Sequence, residues 1–185
     1  MYLKTRQRGF TLVEMIIALF MFSVVIGGIS GLFISAIKSQ KNTLAHQRLL
    51  NQTSYALEYM SRALRMAKKQ DNATMPPCIA DGANYESDGT YVKFVNHLEN
   101  DDCQKFFVEN NQLKQVKNNG ADTLELTDST ISVDSGNFTV LDQSSSQPKV
   151  TVSFVIRDNT LPAGQRPSIS IQTTVSQRNL NIIEP

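Results

Sequence analysis

One long apolar run dominates the pattern near the start of the chain. No charged residue occurs between Met15 and Ile37. At about 1.5 Å per residue, these 23 positions form a helix of roughly 34 Å, close to the hydrocarbon thickness of a bilayer. The run is longer than the apolar core of a cleaved signal peptide, and no small-residue cleavage site follows it. It therefore predicts a membrane-spanning helix that stays in the protein.

A second helical pattern follows the apolar run. Residues 39 to 70 contain no Gly or Pro, and apolar or small side chains recur there at steps of three and four residues, as on one face of an amphipathic helix. These positions are Leu49, Thr53, Ala56, Met60, Ala63 and Ala67. On another face, Glu58 and Arg62 have the spacing of a weak surface ion pair. We expect the membrane helix to continue as an amphipathic stalk helix over residues 38 to 70.

Beyond residue 70 the pattern changes from helical to alternating. Asp71 to Gly89, which includes Pro76-Pro77, predicts the end of the helix and a loop. The segments that follow read as short strands, and Asn110-Asn111 has the composition of a hairpin turn. These segments are 90–95, 105–108, 112–116, 123–126, 130–133, 138–141, 149–156 and 168–175. The sequence thus predicts an α+β fold, with the long N-terminal helix packed on a mainly antiparallel β-sheet head over residues 71 to 185.

The near-neutral net charge of +1 conceals a strong asymmetry along the 185 residues. Residues 1 to 9 carry three cations and no acid, and residues 38 to 70 carry seven cations against Glu58 alone. Residues 71 to 185 hold 15 of the 17 acids and eight of the 18 bases, a net charge of −7. The leading cations favour a cytoplasmic N-terminus, which places the acidic head outside the cell membrane. General nucleic-acid binding is not expected from this distribution.

Two cysteines, Cys78 and Cys103, lie in the predicted external region. Their number and the lack of a nearby histidine cluster do not fit the usual zinc spacings. An oxidising compartment would allow them to form a disulfide that stabilises the domain by roughly 3 kcal/mol. Two independent buried thiols are the alternative, because a bridge also requires Cα atoms within about 7 Å.

Glu14 is anomalous, because a carboxylate in an apolar stretch costs several kcal/mol in lipid unless it is paired. Gly9-Phe10-Thr11-Leu12-Val13-Glu14 follows a short basic leader and precedes Met15-Ile16-Ile17-Ala18-Leu19. This arrangement resembles the processing motif of type IV prepilins and type II secretion pseudopilins. The resemblance implies that a prepilin peptidase removes residues 1 to 9, cutting after Gly9, and N-methylates Phe10. Residues 10 to 37 would then form the transmembrane and filament-core helix.

The resemblance also assigns a role to Glu14 and names the partners. Cleavage creates an ammonium at Phe10, which the Glu14 of a neighbouring subunit can pair with, and the pair can set the register between subunits. The implied partners are prepilin peptidase, other pilin or pseudopilin subunits and an inner-membrane assembly platform. The implied location is the cytoplasmic membrane, followed by an extracytoplasmic filament. Within the family, the segment from Leu57 to Arg65 and the strand-rich head resemble the J-type minor pseudopilins.

Three glycines, Gly27, Gly28 and Gly31, interrupt the apolar helix, and each costs about 1 kcal/mol of helix propensity relative to alanine. Gly27 and Gly31 have the small-xxx-small spacing of closely packed membrane helices. The family resemblance implies instead that this region loosens when the filament assembles. Both readings remain open at this stage.

No catalytic constellation is found, so we expect a structural protein without a cofactor rather than an enzyme. His46 falls in the stalk, and His97 lies near Glu99, Asp101 and Asp102 without the spacing of a metal site or of an EF-hand. The function predicted is that of a minor pilin or pseudopilin. Two alternatives are a DNA-uptake pilus subunit that binds DNA through the basic stalk and a single-pass membrane domain that does not assemble.

Overall fold

The computed structural model describes residues 9–71, 77–117, 120, 122–142 and 147–178. The predicted leader, residues 1 to 9, lies outside this part of the chain except for Gly9. The chain forms two compact units, Met1–Lys41 and Asn42–Pro185. One long helix, α1, comprises Leu12–Arg65.

In the first unit, every described side chain is exposed. The helix here is long and apolar enough to cross a membrane. Its apolar residues include Phe20 and Phe33, both 66 % exposed. A surface of this kind is unfavourable in water, so it requires either lipid or another apolar surface to cover it.

In the second unit, the rest of α1 supplies one apolar face of a packed core. Its buried residues recur at steps of three and four, as the sequence predicts, and they are Ala45, Leu49, Thr53, Ala56, Met60 and Leu64. Ala63, expected on this face, is only half-buried, and Leu64 is fully buried in its place. This stretch contains no Gly or Pro, so no residue in it interrupts the helix. Packing against the sheets then determines which face of the helix is buried.

The helix ends at Arg65, five residues before the predicted end of the stalk at residue 70. Ala67–Lys68 forms a short strand, β1, instead of a further helical turn. The carbonyl of Met66 accepts a hydrogen bond from the His97 backbone N–H at 3.0 Å, and the carbonyl of Arg65 accepts one from the Arg178 N–H at 2.8 Å. Distant segments thus satisfy carbonyls at the helix end, which no local stop signal would indicate.

The first sheet has six strands, all paired antiparallel. The strands after β1 are Glu86–Ser87 (β2), Tyr91–Asn96 (β3), Asp102–Glu109 (β4), Gln112–Lys117 (β5) and Asp122–Glu125 (β6). The order in the sheet is β1, β3, β4, β5 and β6, and β2 also pairs with β3. The predicted hairpin is confirmed, because Asn110 and Asn111 join β4 to β5 with φ values of 52° and 60°, which the type I′ turn requires.

The second sheet contains three antiparallel strands in the order β7, β8, β9. They comprise Ile131–Leu141 (β7), Lys149–Asp158 (β8) and Ser168–Ser176 (β9). The sequence predicts two strands in the β7 region, whereas the structure has one strand with a bulge between Val133 and Ser135. The polar residues that suggested a break are accommodated by this bulge and by pairing with β8.

The core lies between the buried face of α1 and the inner faces of both sheets. Phe94 and Phe106 stack with ring centroids 5.8 Å apart, and Phe138 and Phe154 meet edge to face at 5.5 Å. All four rings are 2 % exposed or less. The structure therefore confirms the α+β fold class, because in the second unit the C-terminal part of α1 packs against antiparallel β-sheet.

A disulfide joins Cys78 to Cys103, with Cα atoms 5.4 Å apart. Cys103 is in β4 and lies opposite Val95 of β3. Cys78, Ile79 and Val95 form a small buried cluster at this edge of the core. The bridge therefore fastens the loop that precedes β2 to the first sheet.

Candidate processing and assembly site

The residues of the predicted cleavage site precede the helix. Gly9, Phe10 and Thr11 lie outside regular secondary structure, and α1 begins at the next residue. The Thr11 carbonyl accepts a hydrogen bond from the Met15 N–H at 3.2 Å, so Thr11 is the N-cap. The predicted scissile bond, between Gly9 and Phe10, is therefore in non-helical chain.

Glu14 lies in the first turn of α1. Its backbone N–H donates to Thr11 Oγ1 at 3.3 Å, and a carboxylate at this end of a helix is favoured by the helix dipole. Thr11 and Glu14 have the spacing of a capping box, which favours helix initiation. Sequence reasoning missed this role, although a Thr-x-x-Glu pattern before an apolar run is a recognised signal of a helix start.

The side chains around this carboxylate are apolar and exposed. Phe10 is 78 % exposed and Leu12 is 75 % exposed. Exposed large apolar residues continue along the helix to Ile37. Glu14 is thus the single charged side chain of residues 10 to 37, at one end of an apolar surface.

Gly27, Gly28 and Gly31 all lie within continuous α-helix. A Cβ built at any of them would meet no described atom within 4 Å beyond its chain neighbours and the backbone of its own helix. Two serines on the same segment donate their hydroxyl protons to backbone carbonyls, Ser23 to Leu19 at 2.9 Å and Ser30 to Ile26 at 2.8 Å. Close packing of another helix against these glycines and loosening of the helix during filament assembly both remain predictions.

The basic strip of the stalk, which consists of Arg62, Arg65, Lys68 and Lys69, is partly neutralised within the chain. Arg62 is paired with Glu58, the surface ion pair expected from their spacing. Lys68, which falls in the predicted stalk helix, donates to Asp101 Oδ2 at 2.6 Å, and 20 % of its side chain is exposed. Strand β1 brings Lys68 to this acid, because Lys68 lies opposite Val95 at the end of β3.

Two of the acids near His97, Glu99 and Asp101, have cationic partners. His97 Nδ1 lies 3.3 Å from Asp101 Oδ1, and Lys117 Nζ lies 2.9 Å from Glu99 Oε1. Among the described residues, no group of three or more His, Cys, Asp or Glu side chains is arranged to hold a metal ion. The arrangement here is that of surface ion pairs.

Two groups with shifted pKa values have structural roles. Burial raises the pKa of the Tyr85 hydroxyl, which donates to the Leu64 carbonyl at 2.7 Å. Hydrogen bonds from the Thr90 hydroxyl and backbone N–H lower the pKa of Asp88 in an exposed turn. Both groups stabilise local packing or turn geometry.

Comparison with known proteins supports the N-terminal reading. A family model described as the prokaryotic N-terminal methylation motif matches residues 4–30 of the chain. No curated protein and no solved structure matches the chain. The matched segment contains Gly9, Phe10 and Glu14, and the motif is typical of type IV pilins and pseudopilins. The chain thus carries this motif at the start of a long helix that packs against antiparallel β-sheet in its second unit, and the motif indicates a type IV pilin-like prepilin that a peptidase processes.

Proposed function

We propose that the chain is a minor pilin or pseudopilin, a structural subunit of a type IV pilus or a type II secretion pseudopilus. Prepilin peptidase removes residues 1 to 9 and methylates the new amino group of Phe10. The position of Gly9 and Phe10 ahead of the helix supports this step, because a protease requires chain that is not held in a helix. The J-type resemblance of residues 57 to 65 remains a prediction within this proposal.

Glu14 is the observation that carries the assembly step. Its carboxylate occupies the first turn of a helix whose apolar side chains are exposed as far as Ile37. In the membrane, lipid covers this surface. In a filament, the N-terminal helices of neighbouring subunits cover it. A buried carboxylate requires a partner of opposite charge, and the ammonium that cleavage creates at Phe10 of a neighbouring subunit supplies one. The ion pair between the Glu14 carboxylate and this ammonium determines the axial position of each incoming subunit.

The proposed location is the cytoplasmic membrane, with the C-terminal unit outside. The three leading cations favour retention of the N-terminus in the cytoplasm. The Cys78–Cys103 disulfide fits an oxidising compartment on the other side. From there an inner-membrane assembly platform transfers the subunit into the filament.

DNA binding through the stalk is not part of the proposal. The strip that would carry it consists of Arg62, Arg65, Lys68 and Lys69. Arg62 is paired with Glu58 and Lys68 with Asp101, so half of these charges already have partners. A subunit contact of the remaining strip with acidic heads fits the charge asymmetry of the chain better.

Processing is tested by the intact mass and N-terminal sequence of the chain expressed with and without a prepilin peptidase. We expect loss of residues 1 to 9 and one added methyl group on Phe10. Gly9→Val should block cleavage, and Gly31→Val is the matched control, since neither glycine has a described atom within 4 Å of an added Cβ. An uncut wild-type chain beside an active peptidase would refute the processing step.

Assembly is tested separately with Glu14→Gln, which removes the charge and keeps the size of the side chain. We expect normal cleavage and membrane storage but strongly reduced incorporation into filaments. Thr11→Val, which removes the cap but keeps the carboxylate, should incorporate nearly as well as the wild type. Equal incorporation of Glu14→Gln and wild type would contradict charge pairing, and a cleaved wild type that never enters filaments would favour the non-assembling membrane domain.

A further inference from the structure

The edges of the two sheets differ in how they are protected against pairing with other chains. An edge strand presents unpaired backbone N–H and C=O groups, and natural proteins blunt such edges with short strands, charges, bulges or covering segments. At the edges of the first sheet, β1 and β2 have only two residues each. Strand β6, at the other edge, has four residues and carries the acids Asp122 and Glu125. Both edges of the first sheet are thus protected.

One edge of the second sheet, β7, is also protected. It contains the bulge between Val133 and Ser135, and loops of the first sheet bond to its outer side. The Val133 N–H donates to the Asn111 carbonyl at 2.8 Å, and the Phe138 N–H donates to the Gly89 carbonyl at 2.9 Å. This edge is covered from within the chain.

In the part of the chain that the structure describes, none of these devices is found at the opposite edge, β9. It is nine residues long, has the sequence SISIQTTVS, and contains no charged residue, Pro or Gly. Its ladder partner is β8 alone, in an unbroken register from Lys149 opposite Ser176 to Arg157 opposite Ser168. Among the described residues, no backbone hydrogen bond reaches Ser168–Ser176 from the other side. A strand that is long, regular, uncharged and unpaired on one side is a template for strand addition.

The alternation of exposed and buried side chains along β9 is complementary to that of a second β9 strand running antiparallel to it. Ser168, Ser170, Gln172, Thr174 and Ser176 are exposed, and the residues between them, Ile169, Ile171, Thr173 and Val175, are half-buried or buried. In an antiparallel pair centred on Gln172, Ile169 of one copy lies opposite Val175 of the other. Ile171 then lies opposite Thr173, and Ser170 opposite Thr174. Polar residues meet polar ones and the half-buried face continues across the pair, as cross-strand pairing favours.

We propose that β9 pairs edge to edge and antiparallel with β9 of a second copy of this chain. The pair joins the two second sheets into one continuous sheet and extends the half-buried face of Ile169 and Ile171. It uses the C-terminal unit only and does not depend on cleavage after Gly9, so it stands or fails independently of the proposed processing and assembly.

Cysteine crosslinking of the full chain in detergent micelles tests the predicted register. Directly opposite residues in an antiparallel pair have Cα atoms about 5 Å apart, within reach of a disulfide. Gln172→Cys should therefore form a dimer linked through Cys at that position, mapped by mass spectrometry. Thr174→Cys alone should not, because its two copies lie about 14 Å apart in this register. Ser170→Cys mixed with Thr174→Cys should form the heterodimer.

A charge variant separates strand pairing from association of the apolar helices. Gln172→Lys places two ammonium groups opposite each other at the centre of the pair. It should raise the dissociation constant of the dimer about tenfold or more. Gln165→Lys adds the same charge on an exposed loop and should leave the dimer unchanged. The proposal is overturned by a chain that stays monomeric, by a dimer that Gln172→Lys does not weaken, by equal crosslinking at all positions, or by crosslinks of Gln172→Cys only to other proteins.

Discussion

Replacement of both Cys78 and Cys103 by serine should lower the free energy of unfolding of the C-terminal unit by about 3.5 kcal/mol at room temperature. The two residues are 25 positions apart, and closing a loop of that length removes this much conformational freedom from the unfolded chain. Their cluster with Ile79 and Val95 is small and lies apart from the main core. Few other buried contacts therefore hold the loop before β2 in place when the bridge is absent.

Urea unfolding of the chain in a non-ionic detergent measures the effect. The protein has five tyrosines and no tryptophan, so far-ultraviolet circular dichroism of the strands and tyrosine fluorescence are suitable probes. The reduced wild type should unfold at nearly the same urea concentration as the double serine variant, because both lose the same crosslink. A difference between oxidised and reduced wild type below about 1 kcal/mol would refute the reasoning, since it would mean that the loop is equally constrained without the bridge.

Two further predictions concern packing in the C-terminal unit and use the same unfolding assay. Leu49→Ala should lower the free energy of unfolding by about 2–5 kcal/mol, because Leu49 is fully buried. The control Leu50→Ala, at a side chain that is 50 % exposed, should change it by less than about 0.5 kcal/mol. Equal effects of the two substitutions would contradict the assigned buried face of α1. Gly136→Ala should lower the free energy of unfolding by about 1–3 kcal/mol, because an added Cβ would lie 2.8 Å from Val108 Cγ2 and 2.9 Å from Phe154 Cε1. An unchanged urea midpoint would mean that the neighbouring side chains move aside without cost.

Local patterns in the sequence predicted much of the secondary structure. The three- and four-residue spacing placed Leu49, Ala56 and Met60 on one face, and these residues are buried. The Asn110-Asn111 pair identified its hairpin, because few residues adopt positive φ as readily as Asn. Such signals depend on neighbouring residues only, so they can be read without knowing what packs against them.

Other features depended on partners that are distant in sequence. The end of α1 at Arg65 is set by strand β3 and by Arg178, which bond to the chain just where the helix stops. Lys68 belongs to an ion pair with Asp101 because β1 joins the first sheet. Pattern analysis placed both Ala67 and Lys68 in the helix, since nothing in their immediate neighbourhood disfavours it.

The apolar helix, the N-terminal motif with Gly9, Phe10 and Glu14, and the strand-rich character of the C-terminal part could all be predicted from the sequence, because each is encoded in contiguous residues. The division of the strands between two sheets and the covering of strand edges could not be predicted in this way. Both depend on backbone hydrogen bonds between segments that are far apart in the chain, such as those between β1 and β3. Whether a strand such as β9 keeps an open edge therefore depends on where every other strand has paired.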